Sequence, residues 1–463
     1  MDLRRWRVIG LSSVMGCVAL AAWVVSPGHD APVVEAQQAD TTWATPDAQR
    51  LGVRLIEKQN PSGPPAYPVQ AGDLLFFTNS GTGYAATNPK NSVVVIDAKS
   101  KKPIAVSDLD PRYSAKLGSH GIGLSADAKW TYLPSMTSIG ADEGSTPEFT
   151  LILDTKTLKI YQVLATGGTP HHAKTFRTAA GRSLMLLEHF NWNTAASAGK
   201  GFFIADPEND NKIVAGMSTG DLHGNPYSCF TTPDGRFLYC SVPPPNRGEL
   251  GDEVDGWLAK IDTATWKTVQ SLAMDRYPLW TVFSLDGKWA WVTNSEDDKV
   301  LKVQRGVAAR ERDKVVGMVA TGGGPYGMRM SLDDKEVWVA DKGEGGPAGK
   351  TITVIDAEKD VVKTTIQTDC LRNDHIILSP DGTEMWATCN ESHDIVVIDA
   401  KTYKMTSRIP MPNGGDSHGG VFVHYARRGT EIVAEVVSDQ NGFHGTALDA
   451  AMKKVPWAPV ATR

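Results

Sequence analysis

A unit of sequence recurs about once every fifty residues in this chain, and it constrains the fold more than any other feature. Each unit begins with a short polar or Gly-containing segment, continues as an apolar run, passes through a tight turn and ends in a second apolar run. In Tyr227–Cys240 the turn is Pro233-Asp234-Gly235, and residues that favour β-strands flank it. Seven such units can be counted.

A repeat of about fifty residues made of short strands is typical of a β-propeller, in which each repeat forms one blade around a central channel. We therefore predict an all-β fold, a seven-bladed β-propeller of four-stranded antiparallel blades, with eight blades as the alternative. The first unit supplies outer strands and the last supplies inner strands, so the two would join to close the ring. The predicted propeller domain spans residues 68–463 and follows a Pro-, Ala- and Gln-rich N-terminal arm over residues 37–67.

Residues 1–36 have the order of a secretory signal peptide. Arg4, Arg5 and Arg7 precede an apolar run over residues 8–25. We predict export to the periplasm, with an uncleaved membrane anchor as the alternative. The formal net charge of −6 favours neither nucleic acid nor an anionic membrane surface as a partner.

Four of the five cysteines could form two disulfides in an oxidising compartment. Cys229 and Cys240 flank one turn symmetrically, and Cys370 and Cys389 flank another at a wider spacing. Buried unpaired cysteines are the alternative. Because no Cys-x-x-Cys-His sequence occurs, covalently attached c-type haem is not expected.

Histidine recurs where the innermost strand of a blade would begin, at one mouth of the channel. A residue repeated at that position lies on a ring, so the side chains should converge. The corresponding segments near Trp280 and Tyr326 have no histidine. We predict that the histidines at the mouth bind metal, namely His120, His171, His172, His223, His375 and His418.

Copper is the metal that this composition favours. Neutral imidazole suits copper, zinc and iron, and an exported site built almost wholly of histidines favours the first. Two or three copper ions are expected. Because neighbouring side chains of a strand point to opposite faces, His171 and His172 can share one cluster only at a bend or loop.

Three charged residues are candidates for catalysis, Lys90, Arg329 and Glu253. Lys90 and Arg329 could hold an anion, because ammonium and guanidinium groups stabilise developing negative charge. Glu253 lies in a long acidic insertion and could act as acid or base. On the alternative interpretation, each is a solvated surface group.

Two classes of protein resemble this sequence. The apolar runs Ala290–Asn294 and Val337–Asp341 resemble the YVTN family of β-propellers, which implies a fold but no particular function. The mouth histidines more distantly resemble those of two copper oxidoreductases, thiocyanate dehydrogenase and the propeller domain of nitrous oxide reductase. Resemblance to thiocyanate dehydrogenases implies a copper site that involves Lys90, His120, His172, His375 and His418.

The implied function is an exported copper-dependent oxidoreductase that acts on a small inorganic anion. Its electrons would pass to an external acceptor such as a cytochrome c. Two alternatives stay open. One is a non-enzymatic propeller that serves as a scaffold, metal carrier or partner-binding protein, and the other is a propeller that binds haem d1 without covalent attachment.

Overall fold

The computed structural model describes most of the propeller and part of the arm before it. The predicted signal peptide, Lys90 and Glu253 lie outside the described residues. Within the part described, no helix has the length and apolar character needed to cross a membrane. The described residues are 44–81, 92–114, 120–135, 149–166, 169–190, 199–243, 255–308 and 310–453.

Seven antiparallel sheets form a ring, which confirms the predicted seven-bladed β-propeller and excludes the count of eight. Strands that come before the first blade in the chain are β1 (Arg54–Lys58), β2 (Leu74–Ser80), β3 (Ser92–Asp97) and β4 (Lys102–Val106). Blade 1 consists of β5 (Gly123–Leu124), β6 (Trp130–Pro134), β7 (Phe149–Asp154) and β8 (Lys159–Ala165). Blade 2 consists of β9 (Pro170–Arg177), β10 (Ser183–His189), β11 (Phe202–Asp206) and β12 (Lys212–Met217). Blade 3 consists of β13 (Ser228–Thr231), β14 (Phe237–Val242), β15 (Asp255–Asp262) and β16 (Lys267–Arg276).

Blades 4 to 6 repeat the same order, with the first strand of each blade innermost. Blade 4 consists of β17 (Pro278–Phe283), β18 (Trp289–Asn294), β19 (Lys299–Gln304) and β20 (Lys314–Ala320). Blade 5 consists of β21 (Pro325–Met330), β22 (Glu336–Asp341), β23 (Thr351–Asp356) and β24 (Val361–Gln367). Blade 6 consists of β25 (Asn373–Leu378), β26 (Glu384–Cys389), β27 (Asp394–Asp399) and β28 (Lys404–Pro410).

Blade 7 joins the two ends of the propeller. The C-terminal strand β29 (Val421–Arg428) pairs antiparallel with β2, and β3 and β4 complete the blade. Two more strands, β30 (Glu431–Asp439) and β31 (Gly442–Phe443), extend the sheet beyond β29 on the channel side. This pair of strands was not expected as an addition to the blade, because the sequence shows that a segment forms a strand but not which neighbour it pairs with.

Among the described residues, three short α-helices lie before, within and after this ring. They are α1 (Pro46–Arg50), α2 (Pro111–Ser114) and α3 (Gly445–Met452). In the arm, β1 pairs antiparallel with β8 and becomes a fifth strand of blade 1. Helix α3 packs on β30 and β31.

The turn between the first two strands of a blade is fixed by one hydrogen bond that recurs. A Ser or Thr hydroxyl donates to the carboxylate two residues later, and in each case that Asp then accepts a backbone N–H further along the turn. Such Asp-based turns explain why the Pro-Asp-Gly pattern could be recognised in the sequence. The pairs are Ser125–Asp127, Thr232–Asp234, Ser284–Asp286, Ser331–Asp333 and Ser379–Asp381.

Both predicted cysteine pairs are joined as disulfides. Cys229 and Cys240 are direct partners across β13 and β14, and Cys370 and Cys389 are joined across the start of blade 6. Of the two possibilities that the sequence allowed, disulfides or buried unpaired cysteines, the structure has the disulfides. Two disulfides in one chain are typical of proteins that fold in an oxidising compartment.

Candidate metal centre

Five histidines from four blades meet at one end of the channel. His120 lies just before β5, His171 and His172 open β9, His375 lies in β25, and His418 lies just before β29. The ring centroids of His120 lie 4.3 Å from His171 and 4.0 Å from His418, and those of His172 and His375 lie 5.1 Å apart. All five side chains are buried.

The neighbours His171 and His172 both reach this cluster because the start of β9 is irregular. The register between β9 and β10 shifts between Leu187 and His189, opposite the histidine pair. Such a bulge turns side chains away from strict alternation. The imidazole centroids of His171 and His172 therefore lie only 3.8 Å apart.

The other three blades fill the same positions with aromatic side chains. Tyr227 precedes β13, Trp280 lies in β17 and Tyr326 lies in β21. The Trp280 ring centroid lies 4.7 Å from that of His375, and the hydroxyls of Tyr227 and Tyr326 are 2.5 Å apart. Four blades thus contribute imidazoles to the channel mouth and three contribute aromatic side chains, and the two units predicted to lack a mouth histidine belong to the same ring.

Several imidazole nitrogens of the cluster face one another. Among the described residues, neither ring nitrogen of His120 or His375 has a hydrogen-bond partner, nor does Nε2 of His172. Buried polar atoms are rarely left without a partner, and coordination of a metal ion is one way to satisfy such nitrogens. Potential ligand atoms of His120, His171 and His172 lie within 4.8 Å of one another. This spacing suits imidazole ligands shared by one metal ion or by neighbouring ions.

A buried carboxylate lies beside the imidazoles. Asp374 pairs with the Lys342 ammonium at 2.8 Å and with His418 Nδ1 at 2.8 Å. Burial favours the neutral acid, but His375, Lys342 and His418 together hold the pKa of Asp374 well below its usual value. His120, Asp374 and His418 also have potential ligand atoms within 4.8 Å of one another.

The histidines of the cluster differ in their pKa and therefore in their protonation. Burial lowers the pKa of His120 and His172 well below the usual value and that of His375 to about 3. These imidazoles are neutral at neutral pH, as metal ligands must be. For His418, burial lowers the pKa, but Asp416 and Asp374 outweigh it and raise the pKa to about 9. In this structure His418 is an imidazolium between two carboxylates, 2.6 Å from Asp416 Oδ2.

His172 is oriented by a buried network behind it. Its Nδ1 lies 3.2 Å from Glu188 Oε2, and the other oxygen of Glu188 accepts a hydrogen bond from the Lys174 ammonium at 2.8 Å. Lys174 also donates to the Ser228 hydroxyl and to the Cys229 carbonyl. A carboxylate on the far nitrogen of an imidazole fixes the tautomer and leaves Nε2 free to bind metal.

Not every predicted site residue joins the cluster. His223 is exposed, with its Nδ1 3.2 Å from the Ser271 hydroxyl, four residues before the Tyr227 that occupies the mouth position of blade 3. Arg329 lies in β21 on the lining of a cavity around the C-terminal hairpin, not at the histidines. No structural statement can be made for Lys90 or Glu253, since both fall outside the described ranges.

Four charged residues at the cluster were not predicted from the sequence: Glu188, Lys174, Asp374 and Lys342. Asp374 directly precedes His375, and this adjacency was the one available indication of its place. The others occupy interior positions of strands or loops, where sequence alone favours solvated surface groups.

The sequence matches the family described as cytochrome D1 heme domain over residues 143–425, which is more than half of the chain. The chain belongs to this family. The membership supports the haem d1 alternative over a copper thiocyanate enzyme, and the resemblance to the YVTN family and to thiocyanate dehydrogenase is not shown by these comparisons.

Solved structures similar to this cytochrome D1 domain share its fold at low sequence identity. Hydrazine synthase of Kuenenia stuttgartiensis is 16% identical with a TM-score of 0.52, over 68% of this chain and 90% of its own. The periplasmic gluconolactonase of Pseudomonas aeruginosa is 13% identical with a TM-score of 0.55, over 75% and 99%. A putative 6-phosphogluconolactonase of Bacteroides uniformis is 12% identical with a TM-score of 0.55, over 76% and 99%. No curated protein matches the sequence significantly.

The described residues fit a haem less well than they fit metal ions held by imidazole. A haem iron has two axial positions, so one haem would leave most of the five imidazoles without a ligand role. The cations beside the cluster, Lys174 and Lys342, already pair with Glu188 and Asp374 and are not open to haem carboxylates. Family membership and site chemistry therefore point to different cofactors.

Proposed function

We propose that the chain is an oxidoreductase whose metal centre is the histidine cluster, and that the metal is copper. One observation carries the proposal: five buried imidazoles from four blades meet at one end of the channel, and nitrogens of His120, His172 and His375 have no hydrogen-bond partner among the described residues. Imidazole is a good ligand for copper, which would supply one-electron oxidation and reduction at this position.

The surrounding residues support a redox site rather than a structural one. Tyr227, Trp280 and Tyr326 are buried against the cluster and keep water from that side. Exclusion of water strengthens electrostatic interactions with a bound ion. Glu188 holds His172 in one tautomer, so at least this ligand is preorganised.

A small inorganic anion is the substrate class that we propose. The ammonium groups of Lys174 and Lys342 are each neutralised by a buried carboxylate, so the positive charge that would attract an anion would come from the bound metal ion. Lys90 and Glu253 remain predicted contributors. An external protein such as a cytochrome c would accept the electrons, and export to the periplasm is supported by the two disulfides.

Haem d1 binding is the second candidate function, and the family match over residues 143–425 favours it. One histidine of the cluster would then be an axial ligand. Haem absorbs visible light strongly and copper bound by imidazole absorbs weakly, so a spectrum distinguishes the two.

The test is metal analysis of the exported protein after copper loading and desalting, together with its visible spectrum. We expect two or three copper ions per chain in the wild type and loss of copper in a His120→Ala, His375→Ala double variant. His223→Ala is the matched control, since it removes an exposed histidine outside the cluster, and it should keep the metal. A copper-loaded protein would then be assayed for thiocyanate oxidation.

Other outcomes decide against copper. An intense haem spectrum that is lost in the double variant would establish the haem d1 candidate. Absence of any retained metal or haem in the wild type would leave a non-enzymatic propeller.

A further inference from the structure

A cavity lies further along the channel, away from the five clustered histidines. The inner strands β9 and β21 begin at the metal centre and end here, at Arg177 and Met330. The cavity has a volume of about 300 Å³, and its other side is formed by the C-terminal hairpin β30–β31 and by helix α3.

Arg329 carries a positive charge on the wall of this cavity. Its side chain is 6% exposed, and its guanidinium lies over the Phe443 ring, 4.4 Å from the centroid. Its one hydrogen bond to a described residue is from Nη2 to the Ser438 hydroxyl at 3.4 Å, and Nε has none. Although burial lowers its pKa to about 10, the guanidinium stays protonated at neutral pH.

Three acidic residues lie near this cavity: Asp439 and Glu435 are hydrogen-bonded, although Oδ2 of Asp439 has no hydrogen-bond partner among the described residues, and Asp449 is exposed on the lining. Asp439 accepts hydrogen bonds from His444 Nε2 at 2.7 Å and from the backbone of Asn441. Glu435 accepts hydrogen bonds from the backbone and hydroxyl of Thr446. None of the described carboxylates forms an ion pair with Arg329, so its buried charge lacks a direct counterion.

A second buried group also lacks a partner. Gln440 is 2% exposed, lines the same cavity, and neither of its amide atoms has a hydrogen-bond partner among the described residues. A Cβ on Gly419 would lie 1.8 Å from Gln440 Nε2 and 3.0 Å from His375 Nδ1. Gln440 therefore lies between the cavity and the metal centre. A guanidinium and an amide, both buried and unsatisfied on one cavity, are donors that an anion would satisfy.

We propose that this cavity binds a small anion, a carboxylate or an inorganic oxyanion, through Arg329 and Gln440. The site is separate from the metal centre and does not depend on which cofactor that centre holds. The Arg329 guanidinium would donate through Nε and Nη, and the Gln440 amide would donate through Nε2. The cavity volume of about 300 Å³ is large enough for such a small anion.

The experiment is calorimetric titration of metal-free protein with sodium nitrate and, separately, sodium acetate in a buffer free of other small anions. Nitrate represents inorganic oxyanions and acetate represents carboxylates. We expect saturable one-to-one binding of at least one of them, weakened about tenfold or more in Arg329→Gln, as for loss of a charge-assisted pair of hydrogen bonds. Arg329→Lys should retain part of the affinity, because it keeps the charge but not the planar fork.

Two controls separate this site from its surroundings. Arg177→Gln removes an exposed cation at the edge of the same cavity, and it should bind the anion within about twofold of the wild type. His120→Ala, His172→Ala removes metal ligands and should leave anion binding unchanged. Circular dichroism at each variant's working temperature verifies folding.

Three results would overturn the proposal: no saturable binding of either anion, equal affinity in Arg329→Gln and wild type, or loss of binding in the histidine variant with retention in Arg329→Gln. The last would place the anion at the metal centre.

Discussion

Glu188 is the residue that connects the histidine cluster, our candidate metal centre, to the protein interior. Its two oxygens are divided between His172 Nδ1 and the Lys174 ammonium, and both Glu188 and Lys174 are 1% exposed in their side chains. A buried pair of this kind contributes little net stability, but removal of one partner leaves the other charge uncompensated.

Glu188→Gln is expected to weaken metal binding by about 10- to 100-fold, because the imidazole of His172 loses the carboxylate that orients it. It should also lower the free energy of unfolding by about 3–5 kcal/mol, since Lys174 stays buried without its counterion. Competition with a chromophoric copper chelator measures the affinity, and denaturant unfolding measures the stability.

The matched control is Asp313→Asn, which breaks the Lys260–Asp313 pair, 2.9 Å apart and also 1% exposed on both sides. It should lose similar stability and keep the wild-type metal affinity. Equal metal affinity in the two variants would show that Glu188 has no role beyond packing.

At the scale of single residues, the sequence predicted which histidines meet at the channel mouth better than it predicted the residues around them. His120, His171, His172, His375 and His418 share a place in the repeat, and that place could be counted along the chain. His223 was included because its segment resembles the others, yet Tyr227 holds the equivalent position in blade 3. A shift of four residues within a loop moves a side chain from the channel to the surface. The sequence of a single unit does not determine which loop residue lies at the channel.

The elements of each blade are held by turns and by covalent links. In blade 3, the Cys229–Cys240 disulfide joins β13 to β14 next to the network of Glu188, whose carboxylate accepts the Cys229 N–H at 2.9 Å. The disulfide therefore stabilises β13, the strand whose Cys229 N–H is hydrogen-bonded to Glu188.

Replacement of both cysteines in Cys229→Ala, Cys240→Ala is expected to lower the free energy of unfolding by about 3 kcal/mol, because the unfolded chain regains the entropy of a short loop. The sequence separation is 11 in this pair and 19 in Cys370–Cys389. Loss of the second disulfide should therefore cost slightly more. Denaturant unfolding of the two double variants compares them, and an unchanged midpoint in both would contradict the expectation.

The sequence predicted these elements unevenly. The Asp-containing turns and flanking strands were recognisable because their hydrogen bonds are local. The placement of β30 and β31 on the channel side of β29 was not, since it results from pairing between segments that have no distinguishing pattern. The cavity that they cover, and the position of Arg329 on it, were therefore beyond sequence reasoning.

The whole ring is closed by contact between its two ends. Phe76 of β2 is fully buried, with its ring centroid 4.7 Å from that of Trp386 in blade 6 and 4.8 Å from that of Phe422 in β29. These three side chains join β2 both to the neighbouring blade 6 and to β29, the strand that β2 pairs with in blade 7. The seven-fold repeat made this closure predictable, because incomplete first and last units complement each other.

Phe76→Ala is expected to lower the free energy of unfolding by about 3–5 kcal/mol through loss of apolar contact and formation of a cavity at the closure. Phe76→Leu, which keeps most of the volume, should lose only about 1 kcal/mol. Denaturant unfolding monitored by tryptophan fluorescence gives both values. Closure would not depend on this contact if the alanine variant were as stable as the leucine variant.

The closing blade has a consequence for biosynthesis. Strand β2 is made early, but β29, which covers its edge, begins at Val421, far later in the chain than Ser80, where β2 ends. Until then the nascent polypeptide has an open strand edge that can pair with any other extended segment, including one on a second copy. Aggregation during synthesis or export is therefore a hazard built into the order of the strands, and a holding chaperone that covers residues 74–80 would reduce it.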